Sequence, residues 1–152
     1  MGERHSEYER VPADTYVTPR WVYEALYAVE PWAETAVDPC PVNYTNDFLL
    51  SDEDCWGFAT NPPFKIAGSI ADHALSRTAA SRGKVALLLP MAWDCAKTRT
   101  YLFVLQPFKA KYVLTRRIRW ENLEQKAAGP SANHAWFVWD WEHRGQPMMG
   151  WL

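Results

Sequence analysis

The sequence predicts a single α/β domain with a mostly parallel sheet and helices on both faces. Three observations carry that prediction. Short apolar runs alternate with amphipathic stretches of about a dozen residues, the pattern of strands joined by crossover helices. Val85 to Leu89 is continuously apolar, as a central strand buried on both faces requires. Trp56 to Thr60 leads through Asn61-Pro62-Pro63-Phe64 into a helical pattern near Ile66, and a strand, a rigid turn and a helix mount a site at a strand's carboxyl end.

Taken in order, residues 1–13 are charged and poor in apolar side chains, so a mobile segment is expected there, with one domain over residues 14–152. Pro19 suits the first position of a helix, with Thr18 as its cap. Trp21, Val22, Ala25, Leu26 and Val29 follow at helical spacing, and Pro31 ends the run. Thr35-Ala36-Val37 is a short strand candidate before Asp38, and residues 39–55 are loop-like. Ile66, Ile70, Ala74 and Leu75 define a helix over Ile66 to Thr78 that packs on a sheet. Trp93 to Leu105 reads as helical and Tyr112-Val113-Leu114 as a strand. Residues 120–132 form a long loop, Ala135 to Trp139 another strand, and Pro147 to Leu152 a last edge strand. Trp136 and Trp139 are expected on one face of their strand, against the core.

Close to half of the 152 residues are apolar and nine are tryptophan, enough for a core. No apolar run reaches the length of a membrane span, and the N-terminus lacks the pattern of a signal peptide. Cys40, Cys55 and Cys95 are odd in number and lack metal-ligand spacing, which points to reduced cytoplasmic thiols and no metal site. The net charge of −2 hides an asymmetry: residues 1–60 hold twelve acidic and three basic side chains, residues 61–152 six acidic and thirteen basic. Lys109, Lys111, Arg116, Arg117 and Arg119, ending at Trp120, interleave cations and aromatics as phosphate contact and base stacking require.

Asn61 to Phe64 carries the most chemistry. Two prolines fix φ and remove two backbone donors, leaving carbonyls free to accept. Asn61 adds a side-chain carbonyl and Phe64 an aromatic face. Two acceptors beside a stacking surface suit a flat group bearing an NH₂, such as adenine.

Other segments keep the same company in the same order. Asp14-Thr15-Tyr16-Val17-Thr18-Pro19, Val37-Asp38-Pro39-Cys40, Asp47-Phe48-Leu49, Asn61 to Phe64, Lys84 to Pro90 and Ala135 to Asp140 together resemble the small bacterial and phage adenine-type amino-methyltransferases of DNA. The resemblance runs from Asp14 onward. It implies a reduced Rossmann-like methyltransferase sheet, S-adenosylmethionine as cofactor and methyl transfer to the exocyclic amine of adenine in DNA. It also implies cofactor contacts at Thr18, Pro19, Asp38, Asp47 and Phe48, with catalysis at Asn61, Pro62, Pro63 and Phe64. The chain departs from the family between Gly2 and Gly57, where no glycine occurs. A backbone that approaches a nucleotide closely usually uses glycine there, so the cofactor cradle is shortened. The sheet edge so uncovered invites pairing with a second copy. A relative that binds nucleic acid or a partner without catalysis, and a methyltransferase acting on a protein amide, are the alternative readings.

Overall fold

The computed structural model describes residues 16–32, 48–49, 55–122 and 132–152. The expected N-terminal segment, the strand candidate at Thr35 to Val37, Asp38 and Asp47 lie outside the described residues. In chain order the elements are β1 (Tyr16–Val17), α1 (Arg20–Val29), β2 (Gly57–Thr60), α2 (Ala67–Ala79), β3 (Lys84–Pro90), α3 (Thr100–Val104), β4 (Phe108–Val113), β5 (Glu121–Asn122), β6 (His134–Asp140) and β7 (Met148–Trp151). β1 and β5 pair by themselves, the other strands forming one sheet in the order β2-β3-β6-β4-β7.

That sheet is mixed, which corrects the expectation of a mostly parallel one. β2 runs parallel to β3 and β4 to β7, while β6 lies antiparallel between β3 and β4. Inserting this one reversed strand turns two of the four pairings antiparallel. Composition gives no warning, because β6 is buried along its whole length and reads like any central strand.

The pleat divides the core into two clusters, so the helices do lie on both faces. Val85, Leu87 and Leu89 of β3 join Ala135, Phe137 and Trp139 of β6 and the apolar stripe of α2. Ala86 and Leu88 join Trp136, Val138 and the buried Val22 and Leu26 of α1 on the other side. Trp136 and Trp139 therefore occupy opposite faces, contrary to expectation, since an odd offset along a strand always changes face. Each indole finds an acceptor on its own side: Trp136 Nε1 donates to the Val22 carbonyl at 3.1 Å and Trp139 Nε1 to that of Leu102 at 2.7 Å.

β4 begins earlier than expected because its two lysines disguise it. Its register against β6 shifts between Phe108 and Ala110, a bulge that reverses the inside and outside of the strand. Phe108 thus packs with the α2-side cluster and Ala110 with the α1-side cluster, although they are two residues apart. Lys109, the bulged residue, turns to Glu30 at the end of α1. There Lys84 Nζ donates to Glu30 Oε1 at 2.8 Å, Tyr112 Oη to Glu30 Oε2 at 2.9 Å, and Lys109 Nζ to both Glu30 and Asp140.

Trp93 to Leu105 is broken where one helix was expected. Two 3₁₀ turns, Trp93–Cys95 and Lys97–Arg99, precede the short α3, with the extended Ala96 (ψ 124°) between them. β7 is the expected last strand and lies at the sheet edge beside β4. Thr115 and Val113 fasten Leu152 beyond it through backbone bonds of 2.9 and 2.8 Å.

Candidate functional site

Four chain segments meet at the carboxyl end of β2, β3 and β4. β2 delivers Asn61, whose Oδ1 is buried and takes no hydrogen bond from the described residues. Pro62 is buried, and Pro63, in extended conformation at ψ 123°, caps the 3₁₀ turn Phe64–Ile66. The Pro63 carbonyl is taken by the Ile66 N–H at 3.1 Å. The turn then passes into α2, whose buried Ala67, Ile70, Ala71, Ala74 and Leu75 hold it on the sheet. Prolines fix the turn and α2 anchors its far end, so the Asn61 amide is mounted on a stiff frame.

Opposite the turn stands His134, the first residue of β6 and the register partner of Pro90 at the end of β3. Its ring lies 5.9 Å from that of Phe64, tilted by 36°, and 5.3 Å from that of Trp120, nearly perpendicular. His134 thus joins the proline motif to the end of the basic segment. Among the described residues its Nδ1 lacks a well-aligned hydrogen-bond partner, although the Ala132 backbone lies close enough to bond the ring. Burial pushes its pKa below the ordinary histidine value, a hydrogen bond to the backbone of Ala132 pulling the other way. The sequence offered only a weak signal for this position, a histidine opening an otherwise apolar run.

The basic segment divides. Lys109 and Lys111 do not face outward, which corrects their assignment to a phosphate-binding surface. Lys109 is 19% exposed and bonded to Glu30 and Asp140, and Lys111 is 14% exposed with Nζ 2.8 Å from Asp94. Both project from a paired strand into carboxylates that charge counting along the sequence cannot locate. Arg116, Arg117 and Arg119 follow β4 and are exposed. The Arg116 guanidinium lies over the Trp21 ring at 4.6 Å, and Arg117 Nε donates to Asn133 Oδ1 at 2.9 Å. Trp120 is half-buried against the α1-side cluster.

The residues expected at the cofactor fare unevenly. Phe48 sits in the α2-side core at 8% exposure, edge-on to Phe58 at 5.0 Å and to His73 at 4.9 Å. Its ring is therefore core, with little face left for a ligand. Thr18 is half-buried and makes no capping bond. The helix begins one residue later than expected, with Pro19 at the cap position (φ −59°, ψ 142°) and its carbonyl accepting from Val22 N–H at 3.0 Å. No protein-family model matches the chain, and no curated protein is significantly similar to it.

Proposed function

We propose that the chain transfers a methyl group from S-adenosylmethionine to the exocyclic amine of adenine in DNA, on a reduced Rossmann-like methyltransferase frame. The observation that carries this reading is the Asn61 side-chain oxygen, a buried acceptor left without a donor at the carboxyl end of a sheet strand. Such an atom costs free energy unless something else supplies the donor, and an arylamine N–H is a donor of the right kind. On that ground the described residues fit the reacting group. Thr18 and Pro19, with Asp38 and Asp47, would hold the cofactor, which when bound supplies an electrophilic methyl group.

The protein's own part is positional and electrostatic. The lone pair of an aromatic amine is delocalised into its ring, which makes it a poor nucleophile. Acceptors at Asn61 Oδ1 and the Pro62 carbonyl draw the two N–H bonds towards tetrahedral geometry and localise that pair. The same acceptors stabilise positive charge as it develops on nitrogen. Phe64 offers its face to a base swung out of the duplex. Arg116, Arg117 and Arg119 follow β4 at the same end of the sheet, are exposed and suit phosphate contact.

The core position of Phe48 favours a second reading, a relative that has kept the frame without catalysis. One experiment separates them. The protein is incubated with tritiated S-adenosylmethionine and unmethylated genomic DNA, and the digested DNA is then resolved by mass spectrometry. N6-methyladenine supports the proposal. Label found in protein alone points to the amide substrate, and no label in either supports the non-catalytic relative.

A further inference from the structure

We propose that β7 is a dimerisation edge, to which a second copy of this chain adds its own β7 in antiparallel pairing about a two-fold axis at Gly150. Among the described residues β7 pairs with β4 alone, so its other side is an open sheet edge. Natural edges are guarded by charged side chains, bulges or covering elements. Here no charged residue stands from Gly145 to Leu152, and Met148, Met149 and Trp151 are 49%, 57% and 67% exposed.

Leu152 fixes the direction of the backbone groups. Its N–H donates to the Val113 carbonyl at 2.8 Å and its carbonyl accepts from the Thr115 N–H at 2.9 Å, so both turn towards β4. Backbone groups alternate sides along a strand, so those of Gly150 and Met148 also turn inward. Met149 and Trp151 therefore present their N–H and carbonyl groups outward. Their side chains share a face as well. They are the register partners of Lys111 and Val113, and Lys111 reaches the Phe137 ring in the α2-side cluster at 5.1 Å.

An antiparallel copy centred on Gly150 uses every one of these groups. Met149 falls opposite Trp151 of the second copy, and Trp151 opposite its Met149. Each such pair exchanges two backbone bonds, about four in all. On the α2 side each thioether meets an indole, a favourable contact that covers exposed apolar side chains of both copies. An isologous interface needs a patch complementary to itself, and outward groups placed symmetrically about a central residue make one. A charged peptide would find no counter-charge on this edge, which favours the second copy.

Sedimentation equilibrium over a wide concentration range tests this, with circular dichroism as the folding control. Wild type should sediment as a dimer at the upper end of the range. Trp151→Glu should raise the dimer dissociation constant about tenfold or more, the scale of one lost interface aromatic. Met149→Pro should do the same by removing an outward N–H that β4 does not use, and either variant suffices if the other does not fold. Gly150 is left alone, because a Cβ there would meet the Tyr112 ring at 2.8 Å. Register is read by oxidising Met149→Cys mixed with Trp151→Cys, in a background with Cys40, Cys55 and Cys95 changed to serine. The two variants should cross-link to each other and neither to itself. A wild type monomeric throughout, a dimer indifferent to the folded variants, or cross-linking within one variant as strong as between the two would overturn the inference.

Discussion

Lys84 Nζ lies 2.8 Å from Glu30 Oε1, so the residue that opens β3 is bonded to the residue that follows α1. Lys109 and Tyr112 reach the same carboxylate from β4, and Glu30 itself is 1% exposed. Removing Glu30 leaves Tyr112 without its acceptor and takes the nearer carboxylate from two lysines still paired with Asp140, which costs up to about 3–5 kcal/mol. Glu30→Ala is expected to lower stability by up to that much, read as a shift in urea midpoint at unchanged slope.

Stability should fall with acid in two steps. Burial depresses the His134 pKa from the ordinary 6.5, so the unfolded chain takes up that proton first, and stability declines as pH drops below 6.5. Glu30 is also desolvated, which alone would raise it, but the bonds from Lys109, Lys84 and Tyr112 outweigh burial and hold its pKa below 4.5. Its contribution is complete above the unfolded value and is lost as pH falls through the folded one. Urea midpoints followed from about pH 7 to well below 4.5 should show both steps, and His134→Asn should remove only the upper one.

Asn61→Ala should behave in the opposite way to Glu30→Ala. It deletes an acceptor that no donor among the described residues satisfies, so the urea midpoint should hold or rise. Methyl transfer should fall by about 100-fold or more, the scale seen when one preorganised polar group is removed from an active site. A folded Asn61→Ala protein with full activity would remove Asn61 from the mechanism.

The division of the basic segment predicts which cations a nucleic acid can feel. Neutralising Arg116, Arg117 and Arg119 together should reduce the log–log salt slope of duplex binding by about 3. Neutralising Lys109 and Lys111 should leave the slope unchanged and lower the urea midpoint instead, because their charges are spent on Glu30, Asp140 and Asp94. Titrating labelled duplex at several salt concentrations checks both expectations.

Periodicity located most of the described secondary structure. The stripe Ile70, Ala74 and Leu75 placed α2, and the apolar run at Val85 to Leu89 placed β3, because burial on one face or two leaves a direct mark on composition. Strand direction leaves no such mark, so the reversal of β6 was invisible. β4 was foreshortened for a related reason: Lys109 and Lys111 look like solvent-facing residues until Glu30, Asp140 and Asp94 are brought to them by the fold. At the site, the Asn61 to Phe64 turn was legible because proline and asparagine have few structural alternatives. The closeness of His134 to Phe64 was not, since it joins positions seventy residues apart through strand pairing alone.

The charged cluster and the proline motif occupy opposite ends of the same strands. From Lys84 to Pro90, β3 spans about 20 Å at 3.3 Å per residue, well beyond the range over which substitutions influence each other's free energies. A scan of every position should therefore sort variants into two nearly independent populations. Changes around Glu30, Lys84, Lys109 and Asp140 should alter how much protein a cell accumulates. Changes around Asn61 and its turn should chiefly alter what each molecule does, leaving that end of the sheet freer to evolve new preferences than the charged end.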